Sequence, residues 1–209
     1  MQWKWSDKVI MNSSKKYAVF FVLASACALA ACSGLTKSDN PVVTTWWLKP
    51  YTGMTQATTP DAVLPLKLVV TAVPGLDSNQ VLTLSREAEL KPYAGARWAD
   101  HVPELLTSLI GRSLDESGRF EVVPARAGGG SGECDLRLEV REFFADLSAG
   151  GNTTAVRVAF NGRYQCEPGA PVYIQSSASV AVGDERMTVI VAAFQQALDR
   201  VTRDVLDKI

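Results

Sequence analysis

Residues 134–166 read CDLRLEVREFFADLSAGGNTTAVRVAFNGRYQC: two runs of alternating apolar and polar residues on either side of Ser148-Ala149-Gly150-Gly151-Asn152. Period-two alternation sends successive side chains to opposite faces of a strand, and Gly and Asn supply the positive φ that a tight turn demands. The stretch therefore reads as a β-hairpin. Centring its turn on Gly150 sets Cys134 against Cys166, Leu136 against Tyr164 and Val140 against Phe160 on one face. The other face then carries Asp135, Arg137, Glu139 and Arg141 opposite Gln165, Arg163, Asn161 and Ala159, so one register satisfies both the apolar and the polar side. Opposed residues lie about 4.5–5.5 Å apart, within disulfide reach, and the register predicts a Cys134–Cys166 bridge.

Working outward, Val172 to Val182 reads as a third strand, followed from about Asp184 by a helix. Its buried stripe is Met187, Ile190, Val191, Phe194, Ala197, Leu198, Val201 and Val205 at helical spacing. Upstream, residues 127–132 form a glycine-rich loop and Phe120-Glu121-Val122-Val123 a short strand. Trp98 to Asp115 predicts a helix, with Trp98, Val102, Leu105, Leu106, Leu109, Ile110 and Leu114 on one stripe. Pro103 falls in its first turn and Gly118 stops it. Val81 to Arg86 and Ala88 to Tyr93 are short strand candidates. Leu66 to Val73 is mostly apolar, as a strand covered on both faces at the centre of a sheet would be. Residues 52–62 read as loop, and the domain opens with a strand at Thr44-Thr45-Trp46-Trp47-Leu48. The expected fold is α/β: a single domain over 44–209, with a mixed sheet of six or seven strands and two long helices packed on it.

The N-terminus reads as an address. Lys15 and Lys16 precede an apolar run from Tyr17 to about Leu29, too short and wrongly flanked for a spanning helix, so residues 1–31 are expected to be a cleaved signal. Residues 1–10 fit no part of a signal, which makes Met11 an alternative start. Leu29-Ala30-Ala31-Cys32-Ser33 resembles the lipobox of bacterial lipoproteins, which implies cleavage before Cys32, diacylation of its thiol and acylation (palmitate type) of its amine. Residues 32–43 are then the lipidated cysteine and a polar tether. Ser33 stands where an aspartate would signal inner-membrane retention, which points to the inner leaflet of the outer membrane, facing the periplasm. Of the four cysteines, Cys27 leaves with the signal and Cys32 takes lipid, so an even pair remains in an oxidising compartment.

Without residues 1–31 the formal charge falls from −1 to about −4, which gives no electrostatic footprint for nucleic acid. His101 is the only histidine, and alone it supports neither a zinc cluster nor a histidine pair. The glycines at 128–130 lack the Gly-Lys-Ser/Thr that cradles phosphate, and no G-x-S-x-G elbow is present. Asn152-Thr153-Thr154 fits a glycosylation pattern but serves a turn more simply. No catalytic group, metal or cofactor is expected, and so no enzyme.

Four elements in order carry a resemblance: Leu48-Lys49-Pro50 after an aromatic strand, Val73-Pro74-Gly75-Leu76-Asp77, Arg86, and Arg97-Trp98-Ala99-Asp100 before a helix. From about residue 44 to 207 the chain resembles the ABC-type transport auxiliary lipoproteins, which include the lipoprotein component of paraquat-inducible-type systems. Pro74, Leu76, Asp77, Arg97 and Trp98 are the motif residues. The resemblance implies a non-enzymatic partner of a mammalian-cell-entry (Mce) lipid transporter, docking on an Mce-domain protein and through it on an ABC permease and ATPase. A homo-oligomer would suit docking on a symmetric tunnel. Loops 74–79 and 124–133 are the candidate docking surfaces. The alternative is a structural envelope lipoprotein that assists assembly of an outer-membrane complex; neighbouring permease, ATPase and Mce genes would separate the two.

Overall fold

The computed structural model describes residues 42–53, 63–123 and 134–209, and Val43–Ile209 form one compact unit. In chain order come β1 (Thr44–Trp46), β2 (Leu64–Ala72), β3 (Gln80–Leu84), β4 (Leu90–Trp98), α1 (Val102–Glu116), β5 (Phe120–Val123), β6 (Cys134–Leu147), β7 (Thr153–Cys166), β8 (Val172–Ala181) and α2 (Met187–Lys208). One mixed sheet holds eight strands among the described residues, against the six or seven expected. The signal, Cys32 and the tether to Pro41, residues 54–62 of the early loop and the 124–133 loop lie outside the described residues.

The hairpin is the spine of the sheet. Strands β6 and β7 pair antiparallel, and the expected register holds from Cys134 opposite Cys166 to Val140 opposite Phe160. The two cysteines form a disulfide with their Cα atoms 4.1 Å apart. At Arg141 the register departs from the expectation: Ala159 pairs with Glu142, and Arg141 is the extra residue of a bulge. A one-residue bulge reverses the parity of the strand beyond it. Before it the buried β6 residues are Leu136, Leu138 and Val140; after it Phe143 and Ala145 are buried on that face. Without the bulge, Glu142 would point into the core. Gly162 lies opposite Leu138, and a Cβ there would collide with the Arg137 carbonyl oxygen and the Leu138 side chain, so only glycine permits this approach.

The sheet centre is β6 rather than the expected β2, because fourteen residues give it an edge long enough for two partners. Along the side away from β7, β2 pairs parallel from Leu66–Cys134 to Ala72–Val140, and β3 rejoins at Thr83–Ala145. The bulge sits opposite the break between them. The order β1-β4-β3-β6-β2-β5 runs to one side, and β7 then β8 to the other.

Both helices cover one face. Rows such as Leu68–Leu136–Tyr164 meet α1, packed on β2 and β5, and α2, packed on β7 and β8. The opposite face carries rows such as Lys67–Asp135–Gln165 and Thr71–Glu139–Asn161–Gln175. Among the described residues β2 is thus covered on one face only, since Lys67, Val69 and Thr71 reach the other side. Trp98, expected on the first helix, is the last residue of β4. Its backbone belongs to the ladder, opposite Trp46, and α1 begins only at Val102 with Pro103 in its first turn. Trp98 remains a core residue: its ring lies 5.5 Å from Phe143 and 5.0 Å from Phe194, which are 5.1 Å from each other. This trio joins β4, β6 and α2, and tilted or edge-on pairs of this kind add about 0.5–1.5 kcal/mol each beyond area burial. The second helix starts at Met187 rather than Asp184, because the Asp184 carboxylate instead accepts the Arg186 backbone N–H at 2.8 Å. Met187 and Val191 are only half-buried on its stripe.

Candidate functional site

The motif residues come from two stretches of sequence and meet in one place. Val73-Pro74-Gly75-Leu76 is a β-turn closed by the Leu76 N–H on the Val73 carbonyl at 3.1 Å. Gly75 has φ +92°, which a turn with proline second and glycine third requires. The turn drops Leu76 into the core and leaves Pro74 and Asp77 exposed. The loop is then stitched to the 97–102 segment: the Trp98 N–H donates to the Asn79 carbonyl at 2.7 Å and the Val102 N–H to the Ser78 carbonyl at 3.1 Å. Arg97 faces the open side, where its Nε donates to Thr45 Oγ1 of β1 at 3.0 Å. Pro74, Leu76, Asp77, Arg97 and Trp98 therefore form one corner. Trp98 and Leu76 build it, and Asp77 and Arg97 are its surface.

His101 also sits at this corner, exposed at the start of α1. Its Nδ1 lies 3.2 Å from Asp77 Oδ1, and Glu104 completes a trio of ligand-type atoms within 4.8 Å of one another. In the sequence His101 stands apart from both carboxylates, which the loop and the first helical turn bring to it. All three groups are exposed, where solvent rather than a metal commonly serves such clusters.

A second construction was not legible in advance. Directly after β1, the chain runs along both helices as a latch. Leu48 is fully buried. The Lys49 backbone N–H donates to Gln195 Oε1 at 2.8 Å, and Gln195 Nε2 returns a bond to the Lys49 carbonyl at 3.0 Å. The same Nε2 donates to Asp199 Oδ1 at 2.8 Å, which fixes the amide orientation. Burial holds the Asp199 carboxyl above the ordinary aspartate range, against the pull of the Gln195 hydrogen bond and the Arg203 charge. The Tyr51 N–H donates to Ser113 Oγ of α1 at 2.9 Å, and Arg203 Nε of α2 donates to the Tyr51 hydroxyl at 2.9 Å. Residues 48–51 thus tie β1 to α1 and α2 together. Nothing in local periodicity marks Gln195, Ser113 or Arg203, because their partners are distant in sequence.

Elsewhere, a shallow cleft of about 400 Å³ opens at the far end of β3, lined by Leu84, Arg86, Ala88, Asp146, Thr154 and Arg157. The Arg157 guanidinium lies 2.9 Å from Asp146 and 3.4 Å from Glu142, over the Phe144 ring. Its charge is already matched. No described helix is long and apolar enough to cross a membrane.

A single mixed sheet covered on one face by two helices is the class to which similar solved structures belong. A Xanthomonas campestris protein of the DUF330 family is 23% identical, with a TM-score of 0.59, and the alignment covers 79% of this chain and 90% of that one. An uncharacterised protein is 12% identical with a TM-score of 0.62, over 79% of this chain and 97% of that one. These likenesses speak for the fold. The family comes from the sequence: residues 49–206 match the ABC-type transport auxiliary lipoprotein component, and the chain belongs to that family, a transport accessory rather than an enzyme family. The match includes the turn, the corner and every residue of the latch from Lys49 onward. No curated protein matches the chain significantly.

Proposed function

We propose that this chain is the non-enzymatic, outer-membrane lipoprotein component of an Mce-type ABC system that moves lipids between the inner and outer membranes. The observation that carries the reading is the family match over residues 49–206, which begins three residues after the end of β1. Cys32 holds the domain in the inner leaflet by its acyl chains. One chain binds a membrane only marginally, and two or three hold it stably. The tether keeps the body within roughly 40 Å of the lipid at about 3.3–3.6 Å per residue, so even weak docking on an Mce-domain protein is favoured by high effective concentration. The corner of Pro74, Asp77 and His101 is the docking surface. Its exposed polar groups stand on a buried Leu76 and Trp98, so the loop is presented in a fixed shape.

The test is affinity isolation of the lipidated chain from membranes. Recovery of an Mce-domain protein with its permease and ATPase is expected, and repeated isolation without any Mce protein would overturn the reading. Density-gradient fractionation is expected to place the chain with outer-membrane markers. Cys32→Ala is expected to abolish transport while leaving the fold and the Cys134–Cys166 bridge intact; a soluble form that works equally well would remove the anchor from the mechanism.

A further inference from the structure

Where the N-terminal segment joins the body, side chains alternate in and out. Trp46 is half-buried and Leu48 fully buried, whereas Val43, Thr45 and Trp47 point the other way, with Trp47 63% exposed. A tryptophan this exposed is the only one among the described residues, and two basic side chains lie near it along the chain and the ladder: Arg97, bonded to Thr45 two residues before it, and the exposed Lys49 two residues after it. β1 is the edge strand at this end of the sheet, so nothing in the described residues covers it.

We infer that this edge is a second membrane contact, in which Trp47 enters the headgroup layer of the bilayer that anchors Cys32, with Arg97 and Lys49 facing lipid phosphates. The inference rests on the lipidated Cys32 of the proposed function. The occupant follows from where the tether ends. Residues 33–42 span at most about 36 Å fully extended, at 3.3–3.6 Å per residue, so the first body surface the anchor brings to the bilayer is the one the tether runs into. Tryptophan suits this layer because its ring is apolar and its N–H is polar, and long basic side chains reach phosphates while their stems lie against apolar surface. A weak contact suffices, because the anchor makes it intramolecular. It also orients the body: with β1 at the lipid, β8 on the opposite edge stands about 24 Å further out, five strand spacings of about 4.8 Å.

The test uses the mature lipidated protein in phosphatidylethanolamine–phosphatidylglycerol vesicles doped with brominated phosphatidylcholine, whose bromines quench tryptophan at short range. The mature chain keeps three tryptophans, 46, 47 and 98, and the expected result is loss of the Trp47 share of the emission, abolished in Trp47→Phe. With Tyr173→Trp, at an exposed position of β8, added to that variant, the emission is expected to stay bright. Equal quenching of wild type and Trp47→Phe, or none in wild type, overturns the contact. So does a Trp47 that brominated lipid leaves bright but that whole membranes shield from acrylamide, since that outcome assigns the edge to a protein partner. Mass spectrometry of the N-terminal peptide is read separately: a Cys32 without acyl chains sinks the anchor itself, whereas an acylated Cys32 with unquenched Trp47 sinks only this inference.

Discussion

The β6–β7 hairpin and the N-terminal flank, β1 with its latch and β4, are parts of one sheet held by opposite means. In the hairpin, partners are close in sequence, the register follows from alternation around one turn, and a disulfide of separation 32 closes its open end. Tyr164 lies against that bridge, its hydroxyl 2.7 Å from Cys166 Sγ, and burial pushes its pKa up, so it keeps its proton. In the flank, Lys49 reaches Gln195 across 146 residues and Tyr51 reaches Arg203 across 152. Local pairing closes only a short loop, whereas such long-range bonds exist only once both helices are in place. The hairpin is therefore the frame to which the flank is fastened by long-range bonds.

The sharpest way to break this contrast is Trp98→Ala. Trp98 belongs to the flank but packs on Phe143 of the hairpin and Phe194 of α2. Truncation of a buried aromatic costs about 3–5 kcal/mol, and urea unfolding is expected to show one cooperative transition shifted by that amount. A separate early transition would mean that the flank melts independently. Next, Cys134→Ser with Cys166→Ser is expected to cost about 3–4 kcal/mol for a loop of this length in the chain-entropy model, measured by the same unfolding. Hydrogen exchange should show the loss at the β6 start and the β7 end. Equal alkylation of the pair with and without reductant would deny the bridge altogether.

Smaller effects sharpen the comparison. Gln195→Ala removes both hydrogen bonds to Lys49 and is expected to cost about 1 kcal/mol, the usual net worth of such bonds. Faster amide exchange should be confined to residues 48–51 and leave the hairpin unchanged. Last, Asp199→Asn tests the carboxyl behind Gln195. Because burial raises its folded pKa above the unfolded value, the folded state binds its proton more tightly. That contribution favours the fold in acid and is lost as pH rises from the ordinary aspartate value through the raised one. Asp199→Asn is therefore expected to be slightly stabilising near neutral pH relative to wild type, with the difference shrinking in acid, as read from urea midpoints at both.

How legible each region was follows the same division. Alternation gave both hairpin strands, their register to Val140 and the cysteine pair, because every partner lies within one hairpin. It did not give the bulge at Arg141, which serves Phe143 and depends on β2 ending and β3 beginning on the far edge of β6. Helical spacing placed both helices. It also drew Trp98 into the first, since an apolar residue four positions before Val102 fits a stripe and a strand end equally well. Of the corner, Pro74, Leu76, Asp77, Arg97 and Trp98 are legible in the sequence as motif residues, whereas His101 is solitary there because its carboxylate neighbours join it only through the folded loop.

The sequence by itself determined the α/β class, the hairpin and its bridge, since these rest on order and periodicity along a short stretch of chain. Only the tertiary structure decided that β6 is the centre of the sheet, that Leu48–Tyr51 latches two helices, and that Trp47 is left exposed while Leu48 next to it is buried. Those outcomes depend on which distant surfaces meet, and the free energy of such meetings is spread over many residues with no pattern of their own in the chain.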